Sequence, residues 1–326
     1  MKIKHWVIGL VCLALISGVV HAAPKKAKSK KLADDGMVLV PAGEFKMGSD
    51  KEENEAWYRE ANALNPFGFN DRLYVDERPS HKVTLPAYKI DKYEVTNAQY
   101  RNFLIATGHG VPYTWPRNGY NYSDQQLASW PLDGLRDVAT NRFRLDMDVP
   151  NMSKADLLSE MKKVNQARDN MPVTSVTWSD ANDYCNWAKK RLPTEAEWEK
   201  AARGVEGFEY PWGNTWDTKK INTMSENPDA PYSAVGSYPT DVSPYGAYDM
   251  AANVSEWVAD WYKAYPDAPA SDIKYFGEKQ RVVRGGVTSS GHYDSVSVVF
   301  RAAKRTHLLP NSALIDLGFR CVKDVK

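Results

Sequence analysis

The residues best suited to chemistry gather in one short stretch, Ser290-Gly291-His292-Tyr293-Asp294-Ser295. An imidazole and a carboxylate two positions apart suit proton transfer near neutral pH. His292 and Asp294, with Tyr293 between them, therefore read as a general acid–base cluster beside the hydroxyls of Ser290 and Ser295. The same residues also read as an exposed polar loop, and that plainer reading is preferred. No pattern orients a histidine toward Ser290 as a serine hydrolase would need. Elsewhere the reactive side chains are sparse. Beyond residue 22 the histidines are His81, His109, His292 and His307, with no close pair. An iron site needs about two imidazoles and a carboxylate converging, so spacing alone does not announce one.

The cysteines are Cys12, Cys185 and Cys321, and their meaning depends on the compartment. Lys2, Lys4 and His5 precede an apolar run, Trp6 to Val20, that ends in Val20-His21-Ala22. A basic start, a short apolar run and small residues before a cleavage point describe a signal peptide over residues 1–22. The run falls short of the roughly 20 residues that a spanning helix needs. Residues 23–36 follow as a lysine-rich linker, expected to be solvated. Export leaves Cys185 and Cys321, and two thiols in an oxidising compartment tend to pair. Two separately buried free thiols are the competing reading.

Composition excludes several classes. With 43% hydrophobic and 25% charged residues the chain is neither disordered nor low in complexity. Forty-two basic against 41 acidic residues leave no concentrated basic surface, so nucleic acid is not an expected partner. Eleven tryptophans point to an aromatic-rich core or to a surface built to hold a ligand.

The elements that must position these groups are short. Met37 to Gly43 reads as a strand entering a turn, and Lys82 to Leu85 as a second strand stopped by Pro86. Thr96 and Gln99 form a capping box for a helix with Tyr100, Phe103 and Leu104 on its apolar stripe, ended by Gly108. A second helix is expected to start near Ser179 or Asp180, with Ala181, Cys185 and Ala188 on one face. A third starts at the capping box Thr194 to Glu197 and stops at Gly204. Gln280 to Arg284 and Leu317 to Val322 read as strands in a terminal part rich in glycine, proline and aromatic residues. The fold class is α+β, with abundant loop.

A set of motifs runs in order along the chain: Met37 to Gly43 followed by Met47-Gly48-Ser49, Asp76-Glu77-Arg78-Pro79, Tyr93 to Asn97, Pro172-Val173 to Trp178, Lys190 to Glu199, Pro211-Trp212-Gly213, Asp249-Met250 to Trp257, Arg284-Gly285-Gly286, and Gly318 to Cys321. With these the chain resembles the formylglycine-generating enzyme, or sulfatase-modifying factor, family. The resemblance implies that family's variant of the C-type lectin-like fold over residues 37–326, with little regular secondary structure. It also implies that Cys185 and Cys321 are a structural pair. Two stretches, near 52–73 and 110–170, are extra length. Their Trp57, Phe67, Phe69, Tyr113, Trp115, Tyr120, Tyr122 and Trp130 either roof a groove or pack against the body, and packing is preferred.

The resemblance further implies structural calcium, an ion that takes six to eight hard oxygens. Asp249 and Glu256 would give carboxylates, and Ala252 and Val254 backbone carbonyls. A second ion would lie near Asn222 and Thr223, its other ligands unplaced among Glu226, Asn227 and Asp229. Copper is not expected. Family members that oxidise cysteine to formylglycine bind copper(I) through two thiolates after the Arg-Gly-Gly turn, whereas Ser290 and Ser295 align there, with Val287 and Ser255 at neighbouring site positions. A hydroxyl is too hard a ligand to replace a thiolate toward copper(I). The ligand groove is expected to involve Ser255, Val287, Ser290, His292, Tyr293, Asp294, Ser295, Arg301 and Arg305, the two arginines more as ion-pair partners than as contacts.

The expected function is binding of a peptide, protein or small-molecule ligand in that groove by an exported monomer, periplasmic or secreted, with no transmembrane segment after signal cleavage. The alternative is a thiol-independent oxidative maturation enzyme of the periplasm, similar to pyoverdine maturation or dependent on iron.

Overall fold

The computed structural model describes residues 35–50, 53, 59, 75–222, 232–268, 273–286 and 297–325. The chain divides into two units, Met1–Asp35 and Gly36–Lys326, and the second carries the elements below. Strands β1 (Met37–Val40), β4 (Tyr88–Asp91) and β9 (Val322–Asp324) form one antiparallel sheet in the order β1-β4-β9. β2 (Gly43–Met47) pairs antiparallel with β3 (His81–Leu85). The largest sheet has the order β7-β6-β5-β8, from β5 (Ser255–Trp261), β6 (Arg281–Arg284), β7 (Thr306–Leu308) and β8 (Leu317–Phe319). β5 is buried over its first four residues without alternation, as expected of a strand covered on both faces.

Seven α-helices run through the described residues from Asn97 onward. Thr96 caps α1 (Asn97–Thr107) with the reciprocal bonds of a capping box, and Gly108 ends it at φ 71°. Four α-helices, a π-helical segment (Ala139–Phe143) and a 3-10 turn (Val149–Asn151) fill the 110–170 stretch, where the sequence reading expects extra length without naming an element; the helices are α2 (Thr114–Asn118), α3 (Asp124–Ser129), α4 (Leu132–Val138) and α5 (Lys154–Asp169). They enclose a core of their own, in which Leu135, Leu157 and Met161 are fully buried. Trp115 and Tyr120 leave that group and join the main core beside Tyr100 and Phe103. Tyr122 packs edge-on to Trp130 at 5.0 Å. Tyr113 is partly exposed. Trp57, Phe67 and Phe69 lie outside the described residues.

Two boundaries differ from the sequence expectation. α6 spans Trp178–Trp187, starting one residue before the earlier of the two expected positions, because Thr177 is the cap and Asp180 closes the box from inside the helix. The run Leu317 to Val322 is two strands. Arg320 and Cys321 separate them: the Asp91 N–H donates to Cys321 O at 2.9 Å, the Arg320 side chain turns inward, and the chain passes from one sheet to the next. α7 (Glu195–Arg203) has both ends where the capping box and Gly204 put them. It is buried along nearly its whole length despite its charge, and Trp198 belongs to the second large core cluster. Between Gly204 and Ser255 the only helical turn among the described residues is the 3-10 turn Thr218–Lys220.

Candidate functional site

The turn from Asp249 to Ser255 is held open by two left-handed residues, Asp249 at φ 59° and Asn253 at φ 67°. Asparagine and aspartate tolerate that region because their short polar side chains bond locally. Asn253 Oδ1 accepts from Ser233 N at 2.8 Å, and its Nδ2 donates to Glu94 Oε1 at 3.0 Å. Asp249 Oδ2 accepts from Gly236 N at 2.6 Å. Asn222 Nδ2 donates to Ser233 Oγ at 3.3 Å, so Ser233 ties Asn222 to this turn. Ile221, Ala251 and Ala252 share one buried cluster with Phe300.

The Arg284-Gly285-Gly286 turn docks on the same segment. Gly286 N donates to Ala251 O at 2.7 Å, and Ser255 Oγ donates to Gly286 O at 3.3 Å. A Cβ on Gly286 would lie 2.6 Å from Ala251 O, so the approach requires glycine.

Four buried carboxyl groups lie within electrostatic reach of Arg320 here: Glu94, Asp241, Asp249 and Glu256. Among the described residues Arg320 is the one buried guanidinium paired with them, donating through Nε and Nη2 to both oxygens of Glu256, which also accepts from Trp198 Nε1 at 2.8 Å. Burial first, and Asp249 second, hold Glu94 and Asp241 well above the usual carboxylate range. Asp249 is pushed up to about 6, chiefly by burial, with the Gly236 N–H and Arg320 opposing. Among the described residues, Glu94 Oε2 and Asp241 Oδ1 have no hydrogen-bond partner. No three histidine, cysteine, aspartate or glutamate side chains among the described residues converge as the ligands of one metal ion. Nothing in the sequence reading placed Glu94 and Asp241 here. Glu94 stands in a quoted motif, but it opens an unbroken buried run from Glu94 to Asn97, so no alternation marks it out.

The expected groove residues divide in two. Val287, Ser290, His292, Tyr293, Asp294 and Ser295 lie outside the described residues, as does Thr223. Ser255, Arg301 and Arg305 are described, and all three are buried. Arg301 grips Glu77 with both Nη atoms, at 2.9 and 2.7 Å. Arg305 holds both oxygens of Glu195 at 2.7 and 3.0 Å. Both arginines thus anchor the chain after the candidate loop to the 3-10 turn Val75–Glu77 and to the start of α7. Cys185 and Cys321 form a disulfide joining α6 to the segment between β8 and β9. Both sulfur-bearing residues are fully buried.

This frame, a short-stranded α+β body with buried arginine–carboxylate pairs around an Arg-Gly-Gly turn, defines a class. Residues 22–325 match the sulfatase-modifying factor enzyme 1-like domain, and the chain belongs to that family. It is 33% identical over 313 residues to the formylglycine-generating enzyme of Streptomyces coelicolor, covering 89% of each chain. It is 30% identical to the inactive C-alpha-formylglycine-generating enzyme 2 of Bos taurus, covering 87% of each. The structure of PvdO from Pseudomonas aeruginosa shares the fold with a TM-score of 0.55 at 22% identity, over 89% of this chain and 94% of that one.

Proposed function

We propose that this chain is an exported, calcium-stabilised family member that binds a peptide or small ligand in the family's substrate groove without making formylglycine through thiolate-held copper. One observation carries the reading. Of the three cysteines, Cys185 and Cys321 are bonded to each other, which leaves Cys12, within the expected signal peptide, as the one remaining thiol. Copper(I) needs soft donors, and hydroxyls are hard. The relative from Bos taurus, whose name calls it inactive, is a precedent for a family member without that chemistry.

Support for calcium comes from charge and donor type. Among the described residues four buried carboxyl groups stand against one guanidinium, burial raises the proton affinity of Glu94, Asp241 and Asp249, and two of the oxygens lack partners, so the four would ionise together only beside an added cation. A hard divalent cation compensates such charge. Since no three acidic side chains among the described residues converge on one ion, the reading has Ala252 and Val254 give carbonyls beside Asp249 and Glu256. A second ion would use Asn222 and Thr223. Export rests on the reading of residues 1–22, and no helix among the described residues is long and apolar enough to cross a membrane.

The test is elemental analysis of the purified protein, together with oxygen uptake and aldehyde formation on a sulfatase-type peptide. Calcium without copper, and no aldehyde, is the expected result. Aldehyde formation by protein free of contaminating activity would overturn it. Bound iron with oxygen uptake would favour the oxidative maturation enzyme instead.

A further inference from the structure

We propose that the helical insertion holds an anion site where it meets the body: Arg168 and Arg144, with the phenol of Tyr232, take a ligand through a phosphate, sulfate or carboxylate group. The site uses none of the residues expected to line the family groove and none of the carboxyl cluster around Arg320.

The arginines of the body set the expectation. Arg203, Arg284, Arg301, Arg305 and Arg320 are buried, and each is ion-paired to a glutamate at 3.0 Å or closer. Arg168, half-buried at the end of α5, has no acidic partner among the described residues. Its Nη1 donates to Asn118 O, at the end of α2, at 2.7 Å, and its guanidinium lies 5.6 Å from the centre of the Phe143 ring. Phe143 is fixed in turn, because a Cβ on Gly119 would meet its ring at 2.4 Å and only glycine admits it there. Arg168 Nε and Nη2 have no partner among the described residues, and neither is closed to solvent. That is an edge of the guanidinium that grips two oxygens of a carboxylate or phosphate side by side. Asp169, next in sequence, is already taken by Arg101 at 2.9 Å and Tyr120 at 2.5 Å.

The neighbours add donors. Arg144, exposed just past the π-helical segment, is close enough to weigh on Arg168 as a like charge, and it makes no hydrogen bond or ion pair among the described residues. Tyr232 lies within electrostatic reach of Arg168, and its Oη accepts from Thr174 Oγ1 at 3.3 Å, which leaves the phenol O–H to donate. The acidic group that Tyr232 feels is Asp316, which is buried in the body. Burial first lowers the proton affinity of Arg168, and Arg144 adds to it, against the pull of the Tyr232 and Tyr120 phenols. An oxyanion reverses that balance by supplying the negative charge that two neighbouring guanidiniums lack. Two of its oxygens suit the open Arg168 edge, and the remaining lone pairs suit Arg144 and the Tyr232 hydroxyl.

The experiment titrates the full chain with inorganic phosphate, sulfate and acetate, each against sodium chloride at equal ionic strength. It follows the Arg168 Nε–H signal by ¹H–¹⁵N NMR, assigned by its loss in Arg168→Lys. A saturable shift with at least one oxyanion, beyond that caused by chloride, is expected, and the order of affinities tells whether a tetrahedral or a planar group is preferred. Arg168→Lys keeps the charge but loses the two-donor edge, so binding measured by calorimetry should weaken at least about tenfold. Arg144→Gln removes an exposed charge without a partner, and should weaken binding about threefold while leaving the unfolding midpoint unchanged. If Arg168→Lys does not fold, Arg144→Gln and Tyr232→Phe carry the test, each with weaker binding expected. No saturable shift with any oxyanion, or full affinity retained in Arg144→Gln, would overturn the proposal.

Discussion

Arg305 donates to both oxygens of Glu195, to Asp76 O and to Lys263 O, while Arg284 reaches Glu195 Oε1 at 2.9 Å and Glu199 Oε2 at 2.7 Å. Desolvation offsets most of the attraction in such pairs, but stranding one partner is costly. Glu195→Gln is therefore expected to destabilise the protein by about 3–5 kcal/mol in urea unfolding. Lys263→Ala, which breaks an exposed pair with Glu278, should cost under about 1 kcal/mol. Similar losses for both would refute the role given to burial. Asp76, in the same network, accepts from Tyr262 Oη at 2.7 Å, and its carboxyl is pushed up to about 6, chiefly by burial and further by Glu77, against the pull of Arg305. The folded state thus holds this proton more tightly than the unfolded chain does. The resulting stabilisation is complete below about pH 4 and is lost as pH rises through about 6. Asp76→Asn stays neutral, so between about pH 4 and pH 7 it should gain on the wild type by up to about 3 kcal/mol. Stability curves that run parallel across that window would show that Asp76 does not titrate as described.

At the scale of elements, the sequence was legible where local chemistry decides. Thr194, Glu197 and Gly204 bound α7, and Thr96, Gln99 and Gly108 bound α1, because caps act within one turn of the chain. The insertion was opaque for a physical reason. α5 does carry a helical stripe, Leu157, Met161 and Val164, but Asn165 shares the buried face and the rest of its 16 residues are mostly polar, so the stripe stands out only once its packing partners are known. The split of Leu317 to Val322 was equally hidden, since both halves suit a strand and only the inward turn of Arg320 toward Glu256 separates them. At the candidate site, Asp249, Glu256 and Asn222 came from the family resemblance, whereas Glu94, although inside a quoted motif, and Asp241, shortly before Asp249, carried no local signal that assigned them to the site. The Arg-Gly-Gly turn shows how tightly these segments are joined. Gly286→Ala would press a methyl group against the Phe300 ring and against Ala251 O, which already accepts from Gly286 N. Overpacking of this kind is expected to cost about 1–3 kcal/mol. The loss should appear as a lower unfolding midpoint, and calcium should restore part of it if the 249–256 turn holds the ion. An unchanged midpoint would mean that the two turns are not coupled.

For Gly36–Lys326 as a whole, the Cys185–Cys321 bond closes a loop of 136 residues between α6 and the junction of two sheets. A bond of that span removes conformational freedom chiefly from the unfolded chain, which in the loop-entropy treatment is worth roughly 4–5 kcal/mol. Both cysteines sit in the main aromatic core with Tyr184 and Phe319, so truncating them also removes packing. The double variant Cys185→Ala/Cys321→Ala is accordingly expected to lose about 2–5 kcal/mol, read by guanidinium unfolding against the oxidised parent. The single variant Cys185→Ser separates stability from chemistry. It should lose a comparable amount while freeing the Cys321 thiol, which is fully buried in the folded protein and stands beside Asp91 rather than in the 287–296 segment. A thiol so placed has no access to a peptide substrate and no second thiolate to share copper(I) with, so this variant should form no aldehyde when supplied with copper and oxygen. Aldehyde formation by Cys185→Ser would mean that sulfur anywhere in this fold suffices for the oxidation, and the argument from missing cysteines would fail with it.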